Sequence, residues 1–323
     1  MSKPIFCPNC NAPAQSSSHF CNYCGTKLRK QSTAGAFFLS LAKSAAFFGV
    51  FYGIRLLIDA LYTGFVTAHT IAASPNGVAG VTEEMIYEEY SYLAPEIAML
   101  SAFLVLLCYA IYYRTKKKRL IKEISLRRMP FFSFGAMLTL GVSTQIIVAL
   151  FLSILYTIQP ELADDSYSKL YELMFKHSNP YTEFAYIAVM TPIIEETLFR
   201  GLIYTRLKKG MPTAMAIILS SVIFGLAHGN AEQFTYTFLL GILMVLVYEK
   251  YDSLWAPIAI HAAFNGSNFL LQSLDFSNSL YYLIMLFVAI GVFFIITAFV
   301  FFTKKTAVSE LSKAKEHTDY EAL

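Results

Sequence analysis

The chain has 323 residues, of which 56% are hydrophobic and 15% are charged, and its formal net charge is +3 at pH 7. A soluble globular domain carries about 45–50% apolar and about 25% charged residues, so this composition excludes an ordinary soluble protein. It predicts a protein that crosses the membrane several times.

Two Cys-x-x-Cys pairs lie near the N-terminus, at Cys7 and Cys10 and, ten residues later, at Cys21 and Cys24. Two thiolates at this spacing reach one tetrahedral ion, and the second pair closes the four-sulfur shell of a structural zinc site. A segment of about thirty residues buries too little apolar surface to fold alone, so the metal would supply its folding energy. The alternatives are two disulfides or a redox pair, which a reducing cytoplasm disfavours.

This segment resembles the short zinc ribbons of many bacterial membrane proteins, in which Cys-Pro-x-Cys and Cys-x-x-Cys-Gly recur, and the resemblance covers residues 5–28. It implies a bound structural zinc ion and a cytoplasmic module with a protein partner or a regulatory role. We expect the ribbon and its tether at residues 1–30, a membrane domain at 34–303 and a charged cytoplasmic tail at 304–323.

Several mainly apolar segments follow, and each is long enough to cross roughly 30 Å of hydrocarbon as a helix, which takes about 17 to 25 residues. They lie near residues 37–66, 94–113, 131–157, 181–205, 212–229, 233–249, 254–271 and 280–302. The predicted fold is therefore all-α, with about eight transmembrane helices. The first span is the least regular because it contains Lys43, Arg55 and Asp59, the last two four residues apart.

The distribution of Lys and Arg predicts that both termini are cytoplasmic, because basic residues in short connections are retained on that side. With this orientation, twenty of the 25 basic residues lie in cytoplasmic segments, and only Lys169 and Lys176 lie outside. The basic run at 114–119 is typical of an anchor at anionic lipid headgroups, and no nucleic-acid partner is expected. The short chain and its ribbon indicate a bacterial plasma membrane.

The fourth span contains Glu195, Glu196 and Arg200, although ionisable groups at membrane depth are costly unless they face partners inside the bundle. Residues four apart share a helix face, so Glu196 and Arg200 are expected to form an ion pair. Glu195 points about 100° away and has no such local partner, which is typical of a general base. Pro192, just before the acidic pair, is expected to loosen the helix.

The fifth and seventh spans each contain one histidine at a spacing of four from a second motif residue: Phe224 with His228, and His261 with Asn265. A lone histidine in an apolar helix is usually a packing residue, and Phe224 alone is more often core than site. Three such patterns together favour a functional site inside the membrane. Pro257, one turn before His261, is expected to bend its helix towards the cluster.

Together these groups could hydrolyse an amide bond. Glu195 would accept a proton from water, a histidine would hold that water or donate to the leaving amine, and Asn265 would stabilise the oxyanion. One glutamate and two histidines are also the ligand types of a catalytic zinc site with an open position, and residue spacing does not decide between the two. A proton relay in a transporter is a third use of buried glutamate and histidine.

The ordered motifs Glu-Glu-x-x-x-Arg, Phe-x-x-x-His and His-x-x-x-Asn resemble those of the CPBP intramembrane proteases, also called Abi-type, over roughly residues 130–272. This family groups CAAX prenyl endopeptidases with bacteriocin-processing and bacteriocin-immunity proteins. Every motif position is matched here. The positions are Glu195, Glu196, Arg200, Phe224, His228, His261 and Asn265.

The resemblance implies an eight-helix fold and an endopeptidase that cleaves a membrane-associated peptide or protein, lipidated or not, within the bilayer. It implies that Glu195 and His228 act on the attacking water and that His261 and Asn265 stabilise the oxyanion. Glu196 and Arg200 would have a supporting role. The family has been described both as metalloproteases and as glutamate-dependent proteases. The lack of a His-Glu-x-x-His zinc signature favours the latter. A non-catalytic scaffold or immunity protein of the same fold is the alternative function.

Overall fold

The computed structural model describes residues 5–7, 10, 12–14, 34–159, 173, 175–272 and 279–302. After residue 33 the described chain is helical apart from its turns, because a chain in a bilayer must satisfy its backbone groups internally. The helices are α1 (Ala34–Ala73), α2 (Glu83–Ser91), α3 (Ala94–Thr115), α4 (Leu120–Glu123), α5 (Phe131–Ile158), α6 (residues 180–210), α7 (Thr213–Leu226), α8 (Ala231–Tyr251), α9 (Trp255–Gln272) and α10 (Ser279–Phe302).

A short β-hairpin precedes these helices and carries the first cysteine pair. Strand β1 (Ile5–Phe6) pairs antiparallel with β2 (Pro13–Ala14). The Cys7 N–H donates a hydrogen bond of 3.0 Å to the Ala12 carbonyl at the base of the turn. Cys7 is buried, whereas Cys10 is exposed.

Each of the eight expected spans overlaps one helix of the structure. Among the described residues, five helices are long and apolar enough to cross a membrane by themselves: α1, α3, α5, α8 and residues Leu283–Phe302 of α10. The other three are α6, α7 and α9, and the candidate site residues of the membrane domain lie on them, except His228, which lies in the turn after α7. Helix α7 has only 14 residues, which is about 21 Å. The described residues thus contain five candidate spans, and the count of eight stays a prediction.

Helix α6 alternates between α and π geometry. Its consecutive segments are Pro180–Phe184 (α), Ala185–Met190 (π), Thr191–Glu196 (α), Thr197–Tyr204 (π) and Thr205–Gly210 (α). A π turn has one more residue than an α turn and occurs frequently at functional sites. Pro192 lacks an N–H, which removes a bond that a regular α-helix would form, and it lies in the α segment that directly follows the first π segment.

The bend expected at Pro257 has no structural basis. Pro257 is the third residue of α9, and the first four N–H groups of a helix have no partner within that helix. The missing N–H therefore breaks no bond, and proline is well tolerated at this position.

Small residues bring the helices around α6 into close contact. A Cβ atom at Gly141 of α5 would lie 2.3 Å from the carbonyl oxygen of Ile260, which directly precedes His261 on α9. A Cβ atom at Gly241 of α8 would lie 3.1 Å from the Cβ of Ser221 on α7. In a bilayer such close backbone approach replaces the hydrophobic effect as the main source of helix association. These crossings hold α9 against α5 and α8 against α7.

Candidate functional site

Glu196 lies at the centre of a polar cluster inside the bundle, and its side chain is completely buried. Arg200 Nη1 donates to Glu196 Oε1 at 2.7 Å, so the expected ion pair is present. The same oxygen lies 2.9 Å from Nδ1 of His261 on α9. A carboxylate on α6 thus neutralises a buried guanidinium and orients an imidazole from another helix.

Phe224 of α7 packs against every charged or imidazole group of this cluster except the glutamates. The guanidinium carbon of Arg200 lies 4.2 Å from the centre of the Phe224 ring. The rings of His228 and His261 meet it edge to face, with centroids 4.9 and 5.9 Å away. A desolvated cation over an aromatic face is stabilised by about 2 kcal/mol. Phe224 therefore covers Arg200 and spaces the two histidines, a role that the sequence pattern alone did not indicate.

Glu195 and His261 face each other at the edge of the cluster. With Nδ1 bound to Glu196, the Nε2 atom of His261 lies 3.9 Å from Glu195 Oε2. This distance exceeds that of a direct hydrogen bond, and Glu195 Oε2 is buried without a hydrogen-bond partner in the described part of the chain. A carboxylate and an imidazole nitrogen therefore border the same small space.

The sequence predicted His228 on the helix of the fifth span, but it lies two residues beyond the end of α7. Gly229 has a left-handed conformation, with φ of +78°, and the Asn230 side chain accepts a hydrogen bond from the Gln233 N–H and caps α8. These residues end one helix and begin the next. Nδ1 of His228 nevertheless lies 2.8 Å from the Phe224 carbonyl oxygen, which keeps the ring beside Phe224.

Asn265 follows His261 by one turn of α9 and connects this helix to α6. Its Nδ2 donates a hydrogen bond of 3.0 Å to the carbonyl of Ile187, in the first π segment. The second N–H of the amide has no partner among the described residues. One turn further, Gln145 Nε2 donates to Asn268 Oδ1 at 3.0 Å, so amide groups continue along one wall of the site.

Two cavities meet at the site, with volumes of about 740 and 250 Å³. The larger one is lined by His261, Asn265 and many apolar side chains from α3, α5 and α8. Glu195 and His228 line both. A chain that extended from one cavity into the other would pass directly by the Glu195 carboxylate.

Arg55 and Asp59 of α1 also line both cavities. Arg55 Nη2 donates to the Tyr186 hydroxyl at 3.1 Å, which ties α1 to the first π segment of α6. The sequence contained the signal, an ionisable pair at a spacing of four in an apolar span, but only the packing of α1 against α6 brings this pair to Glu195.

The site residues do not form a metal centre as they are arranged. A catalytic zinc ion takes three protein ligands and keeps one open position. In the described ranges, no three His, Cys, Asp or Glu side chains are grouped so that they could hold an ion.

Comparison with known proteins assigns two segments. Residues 177–267 match the family described as type II CAAX prenyl endopeptidase Rce1-like, and residues 6–28 match a zinc-ribbon domain. All the candidate residues on α6, α7 and α9 lie inside the first segment, and Arg55 lies outside it. The domain boundaries expected from the sequence enclose both matches and otherwise stay predictions.

Three relatives share part of the membrane domain. The chain is 30% identical to the putative membrane peptidase YdiL of Bacillus subtilis over 24% of its own length and 32% of that protein. It is 27% identical to the UPF0177 protein YaiH of Lactococcus lactis over 34% and 44% of the two chains. It is 29% identical to the membrane-embedded CAAX protease MroQ of Staphylococcus aureus over 28% and 39%. The match thus spans less than half the length of each relative, and no solved structure matches the chain significantly.

Proposed function

We propose, from the Rce1-like CAAX endopeptidase segment at residues 177–267, that this membrane protein is an intramembrane endopeptidase acting on a membrane-associated peptide or protein. One observation carries the proposal: Glu195 Oε2 and His261 Nε2 lie 3.9 Å apart where two cavities meet. A carboxylate that accepts a proton and an imidazole that donates hydrogen bonds are the groups that amide hydrolysis needs.

In the proposed reaction Glu195 removes a proton from a water molecule, and the water oxygen attacks the carbonyl carbon of the peptide bond. His228 helps to hold that water. The Nε2–H of His261 in its protonated form and the amide N–H of Asn265 stabilise the oxyanion of the tetrahedral intermediate. The proton on Glu195 then passes to the leaving nitrogen, the carbon–nitrogen bond breaks, and the products are a carboxylic acid and an amine.

Glu196 and Arg200 act on this reaction through His261 and are positioning residues. The nitrogen of an imidazole that faces a substrate is set by the hydrogen bond at the other nitrogen. Since the Glu196 carboxylate accepts the Nδ1–H at 2.9 Å, Nε2 faces Glu195 and carries an N–H when the ring is protonated. Arg200 compensates the buried charge of Glu196, which would otherwise be costly at this depth.

Replacement of Glu195 tests the proposal. We expect Glu195→Gln to slow peptide release in proteoliposomes by about 10²–10⁴-fold, the usual contribution of a general base. The matched control is Glu249→Gln, a half-buried glutamate of α8 paired with Lys208, which should retain wild-type cleavage. The substrate itself is found by comparing the membrane peptides of cells that carry wild-type protein or the Glu195 variant. Unchanged cleavage in that variant would contradict the catalytic assignment.

The other functions make different predictions in the same assays. A scaffold or immunity protein would keep its biological effect when Glu195 and His228 are both replaced. A proton-coupled transporter would instead produce a substrate gradient that depends on pH, without cleavage products.

The N-terminal ribbon is proposed to bind one structural zinc ion through Cys7, Cys10, Cys21 and Cys24, and to face the cytoplasm together with the C-terminus. The zinc-ribbon match at residues 6–28 and the hairpin around the first cysteine pair support this proposal. The second pair lies outside the described residues. A bound ion would supply the folding energy of so small a unit.

A further inference from the structure

Arg55 of α1 presents a cation to the site from outside the Rce1-like segment. It lines both cavities together with Glu195, and a cation at membrane depth is costly unless it serves a partner or a pathway. Its guanidinium lies 5.5 Å from the centre of the Phe51 ring and donates one hydrogen bond, to Tyr186. No carboxylate of the described chain lies within ion-pair distance of it.

The two nearest acidic groups do not occupy the donors of Arg55. Asp59, one turn further along α1, acts on Arg55 through its electric field, and Tyr186 is the hydrogen-bond partner of Arg55. Glu195 acts on Arg55 only through its electric field and is the group assigned to the attacking water. A guanidinium has five N–H donors in a planar fork, and only one is used here in the described part of the chain.

We propose that Arg55 binds a carboxylate of the substrate in the smaller cavity, and so selects which peptides are cleaved. The proposal rests on the endopeptidase function above. A planar guanidinium pairs with a carboxylate through two parallel hydrogen bonds, which fixes geometry as well as charge. The larger, mainly apolar cavity holds the rest of the peptide.

The size of the smaller cavity limits where this carboxylate lies in the substrate. Its volume of about 250 Å³ is below the roughly 300–1,000 Å³ of ordinary small-molecule sites. Only a short piece of peptide enters such a space. The carboxylate is therefore either the C-terminal group of a peptide cleaved near its end or an Asp or Glu side chain close to the cleaved bond.

A purely electrostatic role predicts a different outcome. If Arg55 only balanced the charges of Glu195 and Asp59, its removal would weaken the binding of every acidic peptide, wherever the carboxylate lies in the peptide. If it binds a carboxylate, its removal weakens only the binding of peptides that carry one in the correct position. The difference between peptides whose carboxylates lie at different positions therefore separates the two roles.

Binding to the full-length Glu195→Gln protein in nanodiscs tests the inference without turnover. The probes are three dansylated octapeptides of Ala and Leu: one with a free C-terminal carboxylate, one with a C-terminal amide, and one amide with Asp near its C-terminus. We expect the free acid or the Asp peptide to bind about tenfold or more tightly than the neutral amide, the range of a hydrogen bond to a charged group. The tighter peptide identifies the source of the carboxylate.

Variants of the Glu195→Gln protein complete the experiment. Arg55→Gln should abolish the preference, Arg55→Lys should retain part of it, and Asp59→Asn should increase it because a repelling charge is lost. Arg114→Gln, at the exposed end of α3, controls for loss of a cation elsewhere. Equal binding of all three peptides, including no binding of any, overturns the inference, as does an unchanged ratio in Arg55→Gln. Failure of the endopeptidase proposal is recognised separately, by unchanged cleavage in the Glu195 variant.

Discussion

Replacement of Arg200 by Met is expected to destabilise the membrane domain severely. The substitution keeps an unbranched side chain of similar length but removes the cation. It leaves the Glu196 carboxylate, which is fully buried, without its ion pair at 2.7 Å. It also removes the hydrogen bond of 3.3 Å from Arg200 Nη2 to the Gly241 carbonyl, which links α6 to α8.

The magnitude follows from burial. Removing one partner of a buried ion pair costs about 3–5 kcal/mol, because the other charge stays in the interior without compensation. The lost contact with the Phe224 ring adds less than its full energy to this cost, since the energies of groups in one network are not additive. We expect about 4 kcal/mol for Arg200→Met. The double variant with Glu196→Gln contains no unpaired charge and should be more stable than Arg200→Met by about 2 kcal/mol.

Unfolding in mixed detergent and SDS micelles measures these differences. Trp255, the one tryptophan of the chain, is the first residue of α9 and reports on that helix by fluorescence. Arg127 and Asp252 provide the control, since their ion pair is 2.6 Å long but their side chains are 46% and 57% exposed. An exposed pair contributes about 0–1 kcal/mol, so Arg127→Met should change little.

The reasoning is refuted if Arg200→Met and Arg127→Met lower the free energy of unfolding by similar amounts. It is also refuted if Glu196→Gln fails to rescue Arg200→Met. Either result would mean that the burial of the pair does not determine its energetic role.

Further predictions concern packing, the amide, the ribbon and topology. Gly141→Val should displace α9 because its side chain would collide with the Ile260 carbonyl, 2.3 Å from an added Cβ, and cleavage should fall more than membrane insertion does. Asn265→Ala should lower kcat by about 10²-fold with little change in KM, as for an oxyanion donor; an effect on KM alone would contradict this role. Cys7→Ser should release the zinc, measured by atomic absorption, while the helical circular dichroism stays unchanged. Because the C-terminus is predicted to be cytoplasmic, a reporter fused after Leu323 should be active if it folds in the cytoplasm and inactive if it folds only outside the cell.

Much of the fold follows from hydrophobic segment length alone, because a long apolar run in lipid must be helical. The exact ends of the helices depend on individual residues, which the hydrophobic pattern does not take into account. The span expected at 212–229 ends as a helix at Leu226, since Gly229 takes a left-handed conformation that favours glycine. The Gly229-Asn230 pair was visible in the sequence as a signal for a helix end followed by a cap.

Within the site, contacts along one helix could be predicted and contacts between helices could not. The spacing of four predicted the ion pair of Glu196 with Arg200. The same reasoning treated Glu196 as neutralised and did not foresee its contact with His261 at 2.9 Å, which joins residues 65 positions apart. Arg55 was noted only as an irregularity of its span, because nothing in a single sequence says which helix packs against which.

The short helix α7 also has a consequence for the lipid around it. As the predicted fifth span, its 14 residues reach about 21 Å, against roughly 30 Å of hydrocarbon. We therefore expect the lipids beside α7 to thin or tilt, at a cost of fractions of a kcal/mol per Å of mismatch. Such thinning would shorten the path of water to Glu195 and would make acyl-chain length a variable that acts on the site.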